Sequence, residues 1–332
     1  MSLKLDFKMI KTKFFAIYSF LKVKRITSMV EKITTHQSEE DFRNKDILIY
    51  VNGEIVPRDK ATISVYDSGF MLGDGIWEGL RLYNGKWIFL EEHLDRLFEA
   101  ALAIDLNIGL DRNEVRGALE DTRLANDMHT DVHVRIMLTR GTKTTPSQDP
   151  RLLLSGPNLV IIAEHKKASK ESSLKGITLF TSAVRRGSPD YLDPRMNCHS
   201  KIHEVQALVQ ALEAGCDEAL MLDVRGFVST CNATNFFVVR KGEVWTSTGA
   251  YCMNGITRGN VIHICEQEGI VCRQKDFSLF DTYAANEAFV TGSFGGLTPV
   301  TKIDGRDISS SSGPVTQRLQ RLYQELIAHE AS

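Results

Sequence analysis

Alternating apolar and polar positions predict a series of short strands in the first half of the chain. Residues 47–51 and 54–56 flank Asn52-Gly53, a pair that suits a tight hairpin turn. Asn84-Gly85 predicts a second turn of this kind, between strands at residues 76–83 and 87–90. The same alternation predicts further strands at residues 63–66, 132–139 and 159–164.

Apolar positions spaced three and four residues apart predict helices at residues 90–103 and 113–122. In the second half, helices are predicted at residues 200–213, 257–267 and 314–328. The first of these is expected to face the core with Val205, Leu208, Val209 and Leu212. Strands are predicted at residues 177–183, 218–222, 236–239, 243–246 and 288–291. The predicted fold class is therefore α+β, that is, mixed α/β.

The chain has 332 residues, which fits two domains of ordinary size. Residues 45–165 are predicted to form an N-terminal α/β domain. Residues 166–174 are polar and lack apolar periodicity, so they are predicted to be an interdomain linker. Residues 175–332 are predicted to form the C-terminal domain.

Residues 1–44 are predicted to be a basic N-terminal extension that is disordered or lies on the surface. Its apolar run, residues 14–21, is too short to span a bilayer. Two alternatives stay open. The true initiator could be Met29, or the segment could be an organelle-targeting peptide.

Composition narrows the classes of partner. The formal net charge is −2 and no basic stripe follows the extension, which argues against a nucleic acid as the main partner. The six cysteines form no C-x-x-C pair and no zinc-like pattern with histidine, so neither a metal site nor a disulfide framework is expected. They are interpreted as reduced thiols of a cytoplasmic protein without a membrane span.

Lys201 is the candidate nucleophile. It stands where an irregular loop, residues 185–199, gives way to a predicted helix. A lysine that forms a Schiff base needs a partly desolvated amine, because only the neutral amine is nucleophilic. A junction beneath a cleft provides that environment, although a lysine at a helix start is more often a solvated surface charge.

Three other segments carry groups that can hold an anion. Gly255-Ile256-Thr257-Arg258 precedes a predicted helix, whose first free N–H groups would form a phosphate seat. Thr291-Gly292-Ser293 follows an apolar strand and adds a hydroxyl and backbone N–H groups. Arg96 lies on the helix at residues 90–103, where it can clamp a phosphate or pair with Glu92.

In this order and at this spacing, the motifs resemble those of the class IV aminotransferases, the family of branched-chain and D-amino-acid transaminases. The resemblance covers residues 46–326. Besides Lys201 and the anion-binding segments, it rests on three further runs: Asp67-Ser68-Gly69-Phe70 followed by Gly73-Asp74-Gly75, His-Leu-Asp-Arg-Leu at 93–97, and Thr298-Pro299-Val300.

The resemblance implies a fold type IV subunit, with a smaller N-terminal α/β domain and a larger C-terminal pseudo-barrel domain that binds pyridoxal 5'-phosphate. It also implies a homodimer. Lys201 would form the Schiff base and move the proton between substrate and cofactor. The other implied cofactor contacts are Arg96, Thr230, Ile256, Thr257 and Ser293. The implied substrate contacts are Trp77, Arg81, Arg135 and Phe294.

Two positions depart from the family pattern. Thr230 stands where the family usually has a glutamate that pairs with the protonated ring nitrogen of the cofactor. A hydroxyl cannot hold that nitrogen protonated through charge, so Lys201 or another group would have to carry more of the chemistry. Gln206 stands where branched-chain enzymes place a tyrosine.

The substrate remains open among members of one fold. Arg81 and Arg135 favour transamination of a branched-chain-like amino acid with a 2-oxo acid such as 2-oxoglutarate. The Gly-Asp-Gly run and the Tyr-Asn-Gly-Lys hairpin favour a D-amino-acid or (R)-amine transaminase. An aminodeoxychorismate lyase is a third alternative. A cofactor-binding homologue with little catalysis is the non-enzymatic one.

Overall fold

A computed structural model describes Thr35, Ser38 and residues 40–168, 175–308 and 312–332. Most of the predicted extension, residues 1–44, therefore lies outside the described residues. The same holds for residues 169–174 of the predicted linker. The division into an extension, two domains and a linker stays a prediction.

The first half of the described chain is built on an antiparallel sheet. In the described residues this sheet has six strands in the order β2-β1-β6-β5-β3-β4. The elements are β1 (Leu48–Val51), β2 (Glu54–Pro57), α1 (Ser68–Leu72), β3 (Gly75–Tyr83), β4 (Lys86–Ile88), α2 (Leu90–Ala103), α3 (Arg112–Ala125), β5 (Val132–Thr139) and β6 (Asn158–His165), with 3₁₀ turns at Phe42–Lys45, Arg58–Lys60 and Pro150–Leu152.

The core of this half lies on one face of the sheet. Leu80 and Leu82 of β3 are fully buried in the same cluster as Leu94 and Leu97 of α2. Because side chains alternate between the faces of a strand, the residues between the buried ones point to the other face. Trp77, Gly79 and Arg81 occupy that face on β3, and it is the face that borders the functional cavity described below.

The second half is built on a longer mixed sheet. Among the described residues it has nine strands, in the order β12-β11-β10-β13-β14-β7-β8-β9, with β15 paired to β14. The elements are β7 (Ile177–Thr181), α4 (Ile202–Glu213), β8 (Glu218–Leu222), β9 (Val228–Cys231), β10 (Asn235–Arg240), β11 (Glu243–Thr246), α5 (Ile256–Gln267), β12 (Cys272–Gln274), α6 (Leu279–Tyr283), β13 (Glu287–Gly292), β14 (Gly296–Ile303), β15 (Arg306–Asp307) and α7 (Pro314–Glu330).

This second sheet curls back on itself. The last strand in the order, β9, returns beside β10, where the backbone N–H of Cys231 donates to the carbonyl of Thr234 over 2.8 Å. Helices α5 and α7 pack on the sheet through Val261, Ile264 and Leu319, which share a core cluster with Phe237 and Phe289. The curl and its helical cover agree with the predicted mixed α/β class.

Most elements predicted from periodicity are confirmed, and two predictions are wrong. Residues 63–66 form no strand, because Ile63, Val65 and Tyr66 are 38%, 66% and 45% exposed and pair with no sheet. The predicted inward face of α4 is also wrong in its centre. Val205 and Val209 are exposed and Leu208 and Leu212 are only half-buried, whereas the buried positions are Glu204, Ala207 and Ala211.

The rotation of α4 by one residue has a packing cause. Ala207 and Ala211 form a buried cluster with Ala219 and Met221 of β8. Small side chains let the helix approach the sheet closely, so burying the alanines fills the interface better than burying the valines. A consequence is that the carboxylate of Glu204, at the position before Val205, is turned inward.

The loop that precedes Lys201 pairs with the beginning of β3. The N–H of Trp77 donates to the carbonyl of Asn197 over 2.8 Å, and the N–H of His199 donates to the carbonyl of Gly75 over 2.9 Å. The indole N–H of Trp77 donates to the carbonyl of Cys198 over 3.2 Å. These bonds fix the backbone immediately before Lys201 against the first sheet.

Glycines make this close approach possible. A Cβ at Gly75 would lie 2.6 Å from the carbonyl oxygen of Leu138 and 3.2 Å from the ring of His199. Gly73 has a φ of 71° in the left-handed region, and a Cβ there would lie 2.6 Å from the hydroxyl of Ser200. The Gly-Asp-Gly run therefore accommodates the loop that carries Lys201.

We predict that Gly75→Ala lowers the free energy of unfolding by about 1–3 kcal/mol, because the new methyl group meets backbone on one side and His199 on the other. Gly117→Ala is the matched control. It lies within α3 with no atom within 4 Å of an added Cβ, so it should raise stability slightly. Urea unfolding of both variants measures the difference, and equal stability of the two would contradict the prediction.

Candidate active site

A cavity of about 620 Å³ lies between the outer face of the first sheet and the curled second sheet. It brings together nearly all of the residues implied by the motifs. Those that line it are Trp77, Arg96, Arg135, Lys201, Thr230, Ile256, Thr257, Ser293 and Phe294. Residues far apart in sequence thus share one space, although their roles remain predictions.

The amine of Lys201 is partly buried beside Trp77 and Glu204. Lys201 is the N-cap residue of α4, its Nζ is 3.6 Å from Oε1 of Glu204, and Nζ is 5.9 Å from the centre of the Trp77 ring. Burial lowers the pKa of the Lys201 amine from its ordinary value, and the charge of Glu204 opposes this effect. The neutral amine is therefore more accessible here than on a surface lysine.

Arg96 reaches the cavity, but its guanidinium is already partly engaged. Nε and Nη2 donate to the two carboxylate oxygens of Glu78 over 2.7 and 2.8 Å, and Nη1 donates to the carbonyl of Asn254 over 3.0 Å. His93 Nδ1 lies 2.7 Å from the same carboxylate. The alternative partner, Glu92, is not the one used. Three of the five N–H groups are committed, and the remaining two can face an anion.

Glu78 anchors this arrangement from inside the fold. It is 1% exposed on β3. Burial tends to raise the pKa of Glu78, but Arg96 and His93 outweigh it and hold that pKa below its usual value. The carboxylate is therefore ionised and orients Arg96 toward the loop before α5. Glu78 was missed by motif analysis because it lies within a strand that is otherwise largely apolar.

The N-terminus of α5 can bind an anion through the backbone N–H groups of Ile256 and Thr257, and this position is called the anion seat. Gly255 is the N-cap residue, and the first helical bond runs from the N–H of Gly259 to its carbonyl. The N–H groups of Ile256 and Thr257 consequently make no bond within the helix. A Cβ at Gly255 would lie 2.3 Å from Oδ1 of Asn235, so any larger residue would displace the Asn235 side chain.

The hydroxyl of Thr257 does not cap α5. It lies 3.2 Å from the hydroxyl of Tyr323 on α7, and the Thr257 residue is 3% exposed. Its side chain therefore fixes the helix end against α7 and does not bond the backbone N–H groups of the first helical turn. This side-chain contact is compatible with the prediction that the backbone N–H groups of Ile256 and Thr257 bind an anion.

Two hydroxyls from the end of β13 complete the polar lining on this side. Ser293 lines the cavity next to Ile256 and Thr257. Thr291 lines it as well, and its buried Oγ1 has no hydrogen-bond partner among the described residues. A buried hydroxyl without a partner is costly, so this atom is prepared to bond a polar ligand.

Thr230 forms part of the cavity lining on β9. The residue is 3% exposed, and its hydroxyl donates to the carbonyl of Thr234 over 2.7 Å. The amide of Asn235 approaches the same hydroxyl at 3.4 Å. This point of the lining carries dipoles and no charge, as the sequence led us to expect.

The wall formed by the first sheet is cationic and aromatic. The guanidinium of Arg135 lies 4.2 Å over the ring of Trp77, and Nζ of Lys166 lies 4.6 Å over the ring of Phe294. His133 meets Phe294 edge-on at 5.6 Å. Partial burial lowers the pKa of the Lys166 ammonium from its usual value, and Glu164 opposes this.

Arg81 lies outside this cavity. It lines a smaller neighbouring space together with Tyr83 and Tyr323, and its Nη1 donates to the carbonyl of Phe294 over 3.4 Å. Its Nη2 is 3.9 Å from Asp131. The structure therefore separates Arg81 from Arg135, because Arg81 stands one pleat farther along the face that carries Trp77 and Gly79.

Glu204 and Lys166 also line the cavity, and motif analysis missed both. Glu204 was hidden by the incorrect helical face of α4. Lys166 was assigned to the linker, whereas its backbone N–H donates to the carbonyl of Asp131 over 2.7 Å, directly after β6. A strand continued by two residues would have revealed Lys166.

A family model described as amino-transferase class IV matches residues 75–303. The chain belongs to the class IV aminotransferases. This class IV aminotransferase is 39% identical over 313 residues to branched-chain-amino-acid aminotransferase-like protein 2 of Arabidopsis thaliana, a match that covers 93% of this chain and 56% of that protein. The chain thus spans little more than half the length of this relative.

Other class IV aminotransferases match over most of their length. The branched-chain-amino-acid aminotransferase of Pseudomonas aeruginosa is 32% identical over 295 residues, covering 86% of this chain and 94% of that protein. The branched-chain aminotransferase of the archaeon Thermoproteus uzoniensis, solved with norvaline, has a TM-score of 0.78 at 26% identity. That match covers 86% of this chain and 96% of the solved one. The predicted family and its mixed α/β fold are confirmed.

None of the described helices is both long and apolar enough to cross a membrane. Within the described residues there is no group of three or more His, Cys, Asp or Glu side chains placed to hold a metal ion. All six cysteines lie in the described part of the chain, and none of them forms a disulfide.

Proposed function

We propose that this class IV aminotransferase transfers an amino group from an amino acid to a 2-oxo acid, with pyridoxal 5'-phosphate as cofactor and Lys201 as its covalent anchor. The observation that carries the proposal is the position of the Lys201 amine in the same cavity as the anion seat of α5. This cofactor requires an amine that can lose its proton, to which its carbonyl carbon attaches, and an anion site for its phosphate. Lys201 and the N-terminus of α5 provide these two groups.

The residues present fit the cofactor. Its phosphate would be held by the N–H groups of Ile256 and Thr257, by the hydroxyl of Ser293 and by the free N–H groups of Arg96. The unpartnered hydroxyl of Thr291 offers a further bond. When bound, the cofactor supplies a carbonyl carbon for amine exchange and a ring that withdraws electrons.

The protein would contribute orientation and proton transfer. The Lys201 amine would take the proton from the substrate Cα and return it on the cofactor side. Trp77 and Phe294 would shape the space for the substrate. Thr230 would contact the ring nitrogen through its hydroxyl, which supplies no formal charge. Proton transfer at Lys201 therefore carries a larger share of the work than it would beside a ring carboxylate.

We further propose that the cationic wall selects the oxo-acid acceptor. Arg135 and Lys166 bring two positive charges to the cavity, beside the rings of Trp77 and Phe294. Two cations and a histidine suit an acceptor with a second carboxylate, such as 2-oxoglutarate. A branched-chain-like amino acid is the proposed donor. A D-amino acid or an (R)-amine is the alternative, which the Gly-Asp-Gly run favours.

We also propose a homodimer in a cytoplasmic compartment. Residues 63–72 expose several apolar side chains, and Phe70 is 75% exposed. An apolar surface of this kind suits burial against a second copy. The absence of a disulfide among the six described cysteines favours a reducing compartment.

The first prediction from the proposed function concerns the anchor. The purified protein with pyridoxal 5'-phosphate should show a visible absorption band that an amino donor removes, and Lys201→Ala should lose the band because no other amine stands at its place. Lys86→Ala, at the exposed start of β4, is the control and should keep it. A Lys201→Ala protein that keeps both band and turnover would refute the assignment.

A donor screen completes this experiment. L-leucine, D-alanine, an (R)-amine and aminodeoxychorismate are offered in turn, with 2-oxoglutarate or pyruvate as acceptor. Turnover with L-leucine supports the proposed donor, and turnover with D-alanine or the amine supports the alternative. Formation of pyruvate from aminodeoxychorismate would identify a lyase. A band that no donor converts would identify a cofactor-binding protein without catalysis.

The second prediction concerns acceptor choice. Lys166→Met should raise the KM for 2-oxoglutarate about tenfold, which corresponds to roughly 1.4 kcal/mol, and should leave the KM for pyruvate nearly unchanged. The reason is that pyruvate has no second carboxylate. The neighbour Lys167→Met is the matched control, because Lys167 is exposed and pairs with Asp131 at 3.6 Å. Equal effects on both acceptors would contradict the role of Lys166.

The third prediction concerns assembly. Phe70→Lys should convert a two-chain species into a single chain, because it places a charge in the proposed apolar interface. Phe280→Lys is the control, since Phe280 is 76% exposed on α6, apart from that face. Light scattering coupled to size exclusion measures the mass of each variant. If the wild type is already a single chain, the dimer proposal fails.

A further inference from the structure

A buried carboxylate stands one helical turn after the candidate anchor. Glu204 is 7% exposed, and its Oε1 lies 3.6 Å from Nζ of Lys201. The same oxygen accepts a hydrogen bond from Nη1 of Arg186 over 2.6 Å. Both Glu204 and Arg186 line the cavity. Glu204 thus touches the anchor directly and is held in place from behind.

One carboxylate oxygen of Glu204 accepts no hydrogen bond from the described residues. This oxygen, Oε2, is buried, although Nδ1 of His203 lies 3.0 Å away. A buried carboxylate oxygen without a hydrogen bond is costly, and a polar group in the cavity would offset that cost. The unsatisfied oxygen therefore points to a function in the cavity.

The distribution of negative charge in the cavity supports the same conclusion. Of the residues that line it, two are acidic, and these are Glu164 and Glu204. Glu164 belongs to the wall with Arg135 and Lys166. Its charge raises the pKa of Lys166 and so opposes the effect of burial. Thr230 brings no charge to the other side. Glu204 is consequently the carboxylate available to Lys201.

We propose that Glu204 is a positioning residue that holds a proton on the nitrogen of Lys201, and that it supplies beside the amine the negative charge that Thr230 does not supply beside the cofactor ring. This inference rests on the proposed function. It assigns no contact between Glu204 and the substrate. Glu204 acts through Lys201.

The electrostatic directions agree with this geometry. Burial lowers the pKa of the Lys201 amine, and among the neighbouring charges Glu204 and then Cys198 raise it, while Arg186 lowers it. Burial tends to raise the pKa of Glu204, but Lys201, Arg186 and His203 together hold it below its usual value. Glu204 is therefore ionised near neutral pH, and its charge favours the protonated form of the lysine nitrogen.

Lys201 would take up a proton in one step and release it in a second. When Lys201 acts as base, the Cα–H bond of the substrate breaks, an N–H bond forms on Nζ, and the electron pair passes into the cofactor. When Lys201 acts as acid, that N–H bond breaks and a C–H bond forms on the cofactor side. Nζ is positively charged between the two events, and the Glu204 carboxylate stabilises it over that interval.

The test is a pH titration of the visible band of the cofactor-loaded protein without substrate. The midpoint reports the proton on the Lys201 nitrogen. Glu204→Gln should lower it by about 1 pH unit or more, because a neutral amide no longer stabilises the protonated form. Glu213→Gln is the matched control, since Glu213 is exposed at the far end of α4 and should leave the midpoint unchanged.

Arg186→Met separates the electrostatic role from a structural one. It removes a positive charge that disfavours the protonated lysine, so the midpoint should rise. If Glu204 and Arg186 only brace the loop before Lys201, both variants break the same pair and shift the midpoint in the same direction. Opposite shifts support the proposal, and shifts of one sign overturn it.

The two levels of inference fail in different ways. If the wild type forms no visible band with pyridoxal 5'-phosphate, the proposed function fails. If the wild type forms the band and Glu204→Gln titrates with the same midpoint, the role of Glu204 fails and the proposed function stands. Should Glu204→Gln not fold, Arg186→Met alone decides, because an unchanged or lowered midpoint contradicts the proposal.

Discussion

The position of Lys201 depends on the backbone pairing between the loop that precedes it and the beginning of β3. The bonds of Asn197 and His199 to Trp77 and Gly75 make this loop behave as a short additional strand. Strand β3 is itself paired with β5 from Gly75 to Leu82. The sheet thereby stabilises an irregular loop, and the amine that follows it is held at a fixed distance from Trp77.

This constraint explains which parts of the fold could be predicted from the sequence. The strands and helices follow from short-range periodicity, and Asn52-Gly53 and Asn84-Gly85 indicate their turns by residue type. The pairing of the loop with β3 joins positions more than a hundred residues apart and involves too few residues to produce a pattern. The glycines at 73 and 75 indicate close packing, but their partner becomes visible only in three dimensions.

The candidate site likewise has features that could be predicted from the sequence and features that could not. The anion seat could be predicted because a helix N-terminus is a local property of residues 255–257. Glu78, which orients Arg96, could not, since the pair joins two elements and Glu78 interrupts an apolar strand. The inward position of Glu204 was hidden because the valines of α4 suggested the wrong face, whereas the sheet receives the alanines. Arg81 matched a family position, yet its pleat directs it to a neighbouring space.

Charge placement connects these observations. Arg96, Arg135, Lys166, Arg186 and Lys201 surround one cavity, and such an excess of positive charge attracts phosphate and carboxylates while it lowers the pKa of any amine among them. A lysine left alone in that field would lose its proton easily but would hold a new one poorly. A single carboxylate beside Nζ lets the lysine hold a new proton. It leaves the positive potential in the rest of the cavity largely unchanged, because electrostatic interactions weaken with distance. Negative charge at Thr230 would strengthen the ring as an electron acceptor, whereas negative charge at Glu204 strengthens the lysine as a base. The proposed roles of Thr230 and Glu204 would therefore shift the balance in this chain from the ring to the lysine.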